Sequence, residues 1–113
     1  MAIVFGASPS PFVRKVRVAL AEKNVPYELR PVLPQDKDPE FRKMSPLGKI
    51  PAFKDGERAL SDSSIICAYL ERVHSTPALY PSDPYDYARA LWFEEYADTA
   101  IVQVVGPKVF LEK

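Results

Sequence analysis

Apolar residues recur along this chain with two different periods, and the switches between them mark out its elements. Ala2-Ile3-Val4-Phe5 is a short apolar run ending at Gly6 and predicts a strand. From Pro11 the period becomes helical: Val13, Val16, Ala19 and Leu20 share one side of a helix reaching about Lys23, with Arg14, Lys15 and Arg17 mostly on the other. Ser10 is a favoured N-cap residue. Pro11 suits the first helical position, where its missing N–H loses nothing and its φ is already helical. Asn24 is the expected stop, and Tyr27-Glu28-Leu29-Arg30-Pro31-Val32 alternates as a half-buried strand does. Strand, helix and strand within about 30 residues form a βαβ unit, so the two strands should be parallel with a right-handed crossover.

The stretch from Pro34 to Leu47 is polar and proline-rich, with a short or irregular helix predicted over Asp38 to Met44. Ser45-Pro46-Leu47-Gly48-Lys49 has turn composition, and Ile50-Pro51-Ala52-Phe53 reads as a short apolar strand. Asp55-Gly56 is a hairpin signal that returns the chain through Arg58-Ala59-Leu60. Ser61-Asp62-Ser63-Ser64 supplies N-cap residues for a helix whose Ile65, Ile66, Tyr69, Leu70 and Val73 recur at helical spacing. The first part therefore reads β-α-β-(α)-β-β-α.

Ser75 to Pro84 has linker composition. Beyond it Ala88, Leu91, Trp92, Tyr96 and Ala100 mark an amphipathic helix from about Tyr85 to Val105, broken at Gly106-Pro107. One helix cannot bury such a stripe alone. Either other chains cover it or the chain is a truncated form of something longer, and truncation is the preferred reading.

Composition narrows the class. With 113 residues, 47% hydrophobic and 27% charged, the chain has the make-up of a folded globular protein rather than a disordered one. Fifteen basic against fifteen acidic residues leave a formal net charge of zero, so no global field favours nucleic acid or an anionic membrane. Cys67 is the only cysteine, which excludes an intrachain disulfide framework and a cysteine zinc cluster, and no metal site is expected. A reducing cytoplasm fits best, because neither a signal peptide nor a membrane-length apolar run is visible.

The physics of the Ser10-Pro11 boundary already points to an anion. The free N–H groups and the positive dipole end of the first helix face whatever lies beside Ser10. Four motifs, that stretch among them, agree in order and spacing with one family: Ser-Pro-Phe-Val-Arg-Lys-Val-Arg-Val-Ala-Leu, Ser-Pro-Leu-Gly-Lys-Ile-Pro-Ala-Phe, Leu-Ser-Asp-Ser-Ser-Ile-Ile and Ala-Arg-Ala-Leu-Trp-Phe-Glu-Glu-Tyr-Ala-Asp. Together with the element order, they make nearly the whole chain resemble the cytosolic glutathione S-transferases of a serine, bacterial-like type. The resemblance implies a thioredoxin-like glutathione-binding domain over residues 1 to 78, a linker over 79 to 84, and the start of an all-helical domain over 85 to 113.

The resemblance also implies roles. At Ser10 the family carries the residue that hydrogen-bonds the glutathione sulfur. An ordinary thiol has a pKa of about 8.5 and is only a few per cent ionised at neutral pH, so a hydroxyl donor and a helix N-terminus would favour the thiolate. Ser10 would thus activate the co-substrate's nucleophile, whereas its plain structural role is the N-cap. Ser8 is the rival, with a loop role before Pro9. Phe12 in the same motif is counted with the glutathione-binding residues. At Ile50-Pro51 the family places a cis-proline that turns the backbone of Ile50 toward the cysteinyl part of glutathione, pairing an extended tripeptide with an open backbone edge. Asp62 and Ser63 would hold the γ-glutamyl end, Ser63 taking the carboxylate at a helix N-terminus and Asp62 the ammonium, on top of a helix-cap role expected in any case. Lys49 would reach the glycyl carboxylate, with a solvated lysine as its alternative; Met44 and Gln35 take no assignment.

Cys67 reads as a structural thiol and His74 as a helix-end cap. Trp92 and Tyr96 read as core of the second domain, while Tyr96 or Asp98 could instead face the electrophile pocket or dimer groove. The function implied is a glutathione transferase, a homodimer acting on a small electrophile. The alternatives are an interaction protein on the same fold, similar to stringent-starvation proteins, or a glutathione-dependent isomerase or reductase. Serine where a glutaredoxin needs cysteine, and the absence of a Ser-Ser-Cys loop, weigh against the last two.

Overall fold

The computed structural model of the chain describes residues 1–106. Two compact units divide it, Met1–Pro77 and Ala78–Lys113. The first holds a four-stranded mixed sheet. Its elements are β1 (Ala2–Gly6), α1 (Pro11–Glu22), β2 (Tyr27–Pro31), α2 (Pro39–Met44), β3 (Ala52–Asp55), β4 (Arg58–Ser61) and α3 (Ser63–Val73). The sheet order is β2-β1-β3-β4, with β1 parallel to β2 and the other two pairs antiparallel. This is the thioredoxin-like arrangement that the resemblance implies.

Side-chain alternation along β3 shows how the helices are layered. Phe53 meets the ring of Tyr69 from α3, whereas the next residue, Lys54, holds Glu40 from α2 at 2.8 Å. Successive strand residues point to opposite faces, so α2 and α3 lie on opposite sides of the sheet. Val4 is paired with Phe53 and shares its face, where α1 and α3 pack together and bury Val13, Val16, Leu20, Ile66 and Leu70. Phe5 turns to the α2 side, where the Arg30 guanidinium lies 4.9 Å from its ring centre and Phe41 is fully buried.

Local chemistry explains most of the boundaries. Asn24 takes a left-handed φ of 55°, while Asn24 N–H donates to Ala21 and Val25 N–H to Leu20, so α1 closes on a Schellman motif with asparagine in glycine's usual place. At the β3–β4 hairpin Asp55 pairs with Arg58 around Gly56-Glu57, and Gly56 adopts φ 65°. Gly6 has a packing reason instead: a Cβ there would overlap the Val13 Cγ2 methyl, so glycine lets α1 close onto β1.

Two expectations need correction. The third strand begins at Ala52 and not at Ile50, since Pro51 has no N–H to give a ladder. On α3 the buried stripe is Ser63, Ile66, Cys67 and Leu70, whereas Ile65 and Val73 are about half exposed. Ile65 is turned about 100° around the helix from Ile66 and so leaves the buried stripe, and Val73 is the last residue of α3, where the packing ends.

In the second unit α4 (Pro84–Gly106) starts under the Asp83 carboxylate, which accepts from Asp86 N–H at 3.0 Å. Tyr80 folds back onto it, donating to Glu94 Oε1 at 2.9 Å and meeting the Tyr87 ring edge-on. Trp92 and Tyr96, expected as core, are 60% and 59% exposed and stack on each other with ring centres 5.3 Å apart. Of the expected break at Gly106-Pro107, Gly106 ends α4, and Pro107 lies outside the described residues, as does the rest of the chain to Lys113. No described helix is long and apolar enough to cross a membrane.

Candidate functional site

One row of residues crosses all four strands: Arg30 beside Phe5, Phe5 beside Ala52, and Ala52 beside Ser61. Everything that leaves the sheet past this row leaves at the same end. Past Phe5 come Gly6 and the turn to Ser10; before Ala52 come Lys49, Ile50 and Pro51; past Ser61 come Asp62 and Ser63. Neighbouring strands lie about 4.8 Å apart, so these three segments stand side by side within about 10 Å. This is the end to which the carboxyl ends of the parallel strands β1 and β2 point, where open α/β sheets place their ligands.

Ser10 ends a turn in which its own N–H donates to Ala7 O at 3.0 Å, and it caps α1 by accepting Val13 N–H on Oγ at 3.3 Å. It is 1% exposed. A hydroxyl that accepts a bond keeps its hydrogen to donate, so the cap and a donor role are compatible in one residue. Ser8 is exposed in the same turn, and Phe12, half-buried, occupies the second position of the helix. Lys15 on the same helix reaches Ser64 Oγ at 3.2 Å and ties the starts of α1 and α3 together.

The Ile50-Pro51 peptide is cis, as is Thr76-Pro77. Ile50 is 8% exposed and lies outside the β1–β3 ladder, which ends at Ala52, so its main chain is not committed to the sheet. Lys49 is exposed, and its carbonyl accepts from Ser45 Oγ at 2.7 Å.

Asp62 caps α3 from a strained backbone, φ 81° and ψ 121°, outside the left-handed helical well in which aspartate is tolerated. Its Oδ1 accepts from Ser64 N–H at 2.9 Å and Ile65 N–H at 3.4 Å. Among the described residues the cap leaves Oδ2 of this exposed carboxylate open to a cation and leaves the N–H and hydroxyl of Ser63, 5% exposed, open to an anion. An ammonium and a carboxylate on one ligand carbon would find complementary partners here.

The connection leading into Lys49 is held by residues the motifs did not single out. Arg42 on α2 donates Nε to Asp36 O at 2.9 Å, one terminal nitrogen to Pro46 O at 3.1 Å and the other to Gln35 Oε1 at 3.1 Å. Gln35 N–H in turn donates to Gly48 O at 2.7 Å and its side-chain amide to Leu47 O at 2.9 Å, closing the loop from 35 to 48. Glu40 pins α2 to the sheet between Lys54 and Arg30, and the hydrogen bond from Lys54 holds its carboxyl below the usual range. No pattern of residue types announces these partnerships; the trace in the sequence is the turn composition around Ser45.

Three or more His, Cys, Asp or Glu side chains placed to hold a metal do not occur among the described residues. Cys67 is buried on the inner stripe of α3. A shallow hollow lined by Arg89, Trp92 and Phe93 sits on α4 and carries no candidate residue.

Comparison with known proteins bears on this site. Residues 4–78 match the family model described as Glutathione S-transferase, N-terminal domain. The Uncharacterized GST-like protein YibF of Escherichia coli (strain K12) is 38% identical over 95 residues, which cover 82% of this chain and 46% of that protein. Among solved structures, a Tau class glutathione S-transferase from mango, Mangifera indica, superposes with a TM-score of 0.80 at 35% identity over 88% of this chain and 46% of that one. A glutathione S-transferase from Methylobacterium radiotolerans in complex with glutathione sulfonate does so at 0.79 and 37% identity, over 86% and 46%. The chain spans about half the length of the curated relatives it matches.

Proposed function

Because the chain belongs to the glutathione S-transferase family, we propose that its first unit binds glutathione across the end of the sheet and that Ser10 activates the bound thiol. The single observation that carries this reading is the row Phe5, Ala52, Ser61, which sets Ser10, Ile50-Pro51 and Asp62-Ser63 side by side. An extended tripeptide spans about 10 Å, the distance over which these segments are spread. In this reading the γ-glutamyl carboxylate takes Ser63 and its ammonium takes Asp62. The cysteinyl main chain pairs with Ile50 ahead of Pro51, Phe12 lines the same groove, and Lys49 answers the glycyl carboxylate.

The glutathione thiol loses its proton to solvent, and Ser10 donates a hydrogen bond to the resulting sulfur anion. The burial of Ser10 favours that bond, because an acceptor seated against it meets little competing water. The thiolate forms the new sulfur–carbon bond, and the electrophile's leaving group departs with its electron pair. For the whole protein the reading extends to a homodimer in the cytoplasm whose helical second domain holds a small electrophile. The test follows thiolate absorbance of bound glutathione against pH: Ser10→Ala should move the thiol's apparent pKa upward, and an unchanged titration would remove Ser10 from the role.

A further inference from the structure

Ser45 sits where α2 gives way to the segment before β3, and it is 2% exposed. Its N–H donates to Phe41 O at 2.8 Å and ends the helix, and its carbonyl accepts from Gly48 N–H at 2.9 Å. Its hydroxyl donates to Lys49 O at 2.7 Å. That carbonyl and the Ile50 N–H belong to one planar peptide unit, which is trans, since the cis bonds among the described residues are Ile50-Pro51 and Thr76-Pro77. In a trans unit C=O and N–H point in opposite directions. Ser45 therefore grips one end of the unit, and the Ile50 N–H at the other end is aimed away from it.

That N–H has no acceptor among the described residues, although Ile50 is only 8% exposed. Main-chain donors in such surroundings are nearly always paired. We propose that Ser45 is a positioning residue: its hydroxyl sets the plane of the Lys49–Ile50 peptide so that the Ile50 N–H meets a carbonyl of the bound tripeptide. The proposal rests on the glutathione reading above. It differs from a plain packing role because the loop around Ser45 is held independently, by Arg42 on Asp36 and Pro46 and by Gln35 on Gly48. Loss of the one hydroxyl frees the peptide plane while the loop stays closed.

The test uses the 113-residue chain, labelled with nitrogen-15 and titrated with reduced glutathione, in wild type and in Ser45→Ala, Ser45→Thr and Ser45→Val. In wild type the Ile50 amide proton should move downfield as glutathione binds. Ser45→Ala should weaken binding about tenfold and abolish that shift, while Ser45→Thr keeps both within about twofold. A purely structural role would lower the unfolding midpoint yet leave the Ile50 shift intact in the folded fraction. Wild-type affinity and a wild-type Ile50 shift in Ser45→Ala overturn the proposal. Should Ser45→Ala not fold, the threonine and valine variants, alike in shape but not in hydroxyl, decide it the same way. A wild-type chain in which no amide responds to glutathione defeats the reading itself, a result distinct from a response that Ser45 does not influence.

Discussion

The phenolic hydroxyl of Tyr69 donates to Asp55 Oδ2 at 2.8 Å, fastening the middle of α3 to the end of β3. The bond to a carboxylate holds the neutral phenol, so the Tyr69 pKa stands above its ordinary value of 10.0, with burial adding to the shift. A group whose pKa is raised by folding contributes stability that is complete below the unfolded value and is lost as pH climbs through the folded one. Unfolding in urea at a series of pH values should therefore show stability falling above about pH 10. Tyr69→Phe should cost about 1 kcal/mol at neutral pH and flatten that alkaline limb. Glu40 behaves in the opposite sense. Lys54 lowers its pKa below 4.5, so its contribution is present above that value and disappears as pH falls through the lowered one. Glu40→Gln should flatten the acid limb, and an acid limb identical to wild type would show that the Lys54 pairing is immaterial.

Gly6 and Val13 form a pair whose coupling can be measured. A methyl group at Gly6 collides with Val13, so Gly6→Ala should destabilise by about 1–3 kcal/mol, the usual cost of overpacking. Val13→Ala alone leaves a void and costs about 2 kcal/mol. The double variant should lose clearly less than the sum, since each change relieves the other. Strict additivity in a denaturation cycle would contradict the packing account.

Lys23 is a lysine with a side chain 1% exposed, bound to Glu71 Oε1 at 3.0 Å, Pro77 O at 2.8 Å and the carbonyl of His74. It joins the end of α1 to the end of α3. Lys23→Met strips two carbonyls and a carboxylate of their donor and should cost about 2–4 kcal/mol, whereas Glu71→Gln, which leaves both carbonyl bonds in place, should cost about half as much or less. Equal losses in thermal unfolding would mean that the ion pair alone matters.

Lys23 also illustrates which features can be read from a sequence. Elements set by local chemistry were legible: the cap at Ser10 with Pro11 behind it, the glycine of the Gly56 turn and the Asp62 cap all lie where residue type alone places them. The four residues predicted to face inward on α1 are the four that are buried. Features set by partners far along the chain were not legible. Lys23 looks like a solvated helix end until residues 71 to 77 close over it, and Ile65 looks like core until α3 turns that stripe outward. At the candidate site the resemblance named the residues, and strand register explains why they share one end. Ser45 and Arg42 went unnoticed because their role is to grip main-chain carbonyls, which every residue possesses.

The most direct measurement is the map of amide shifts in the 113-residue chain as reduced glutathione is added. The account predicts that the largest shifts cluster at Ser10, Phe12, Ile50, Asp62 and Ser63. Saturating glutathione that leaves those five amides in place would contradict it.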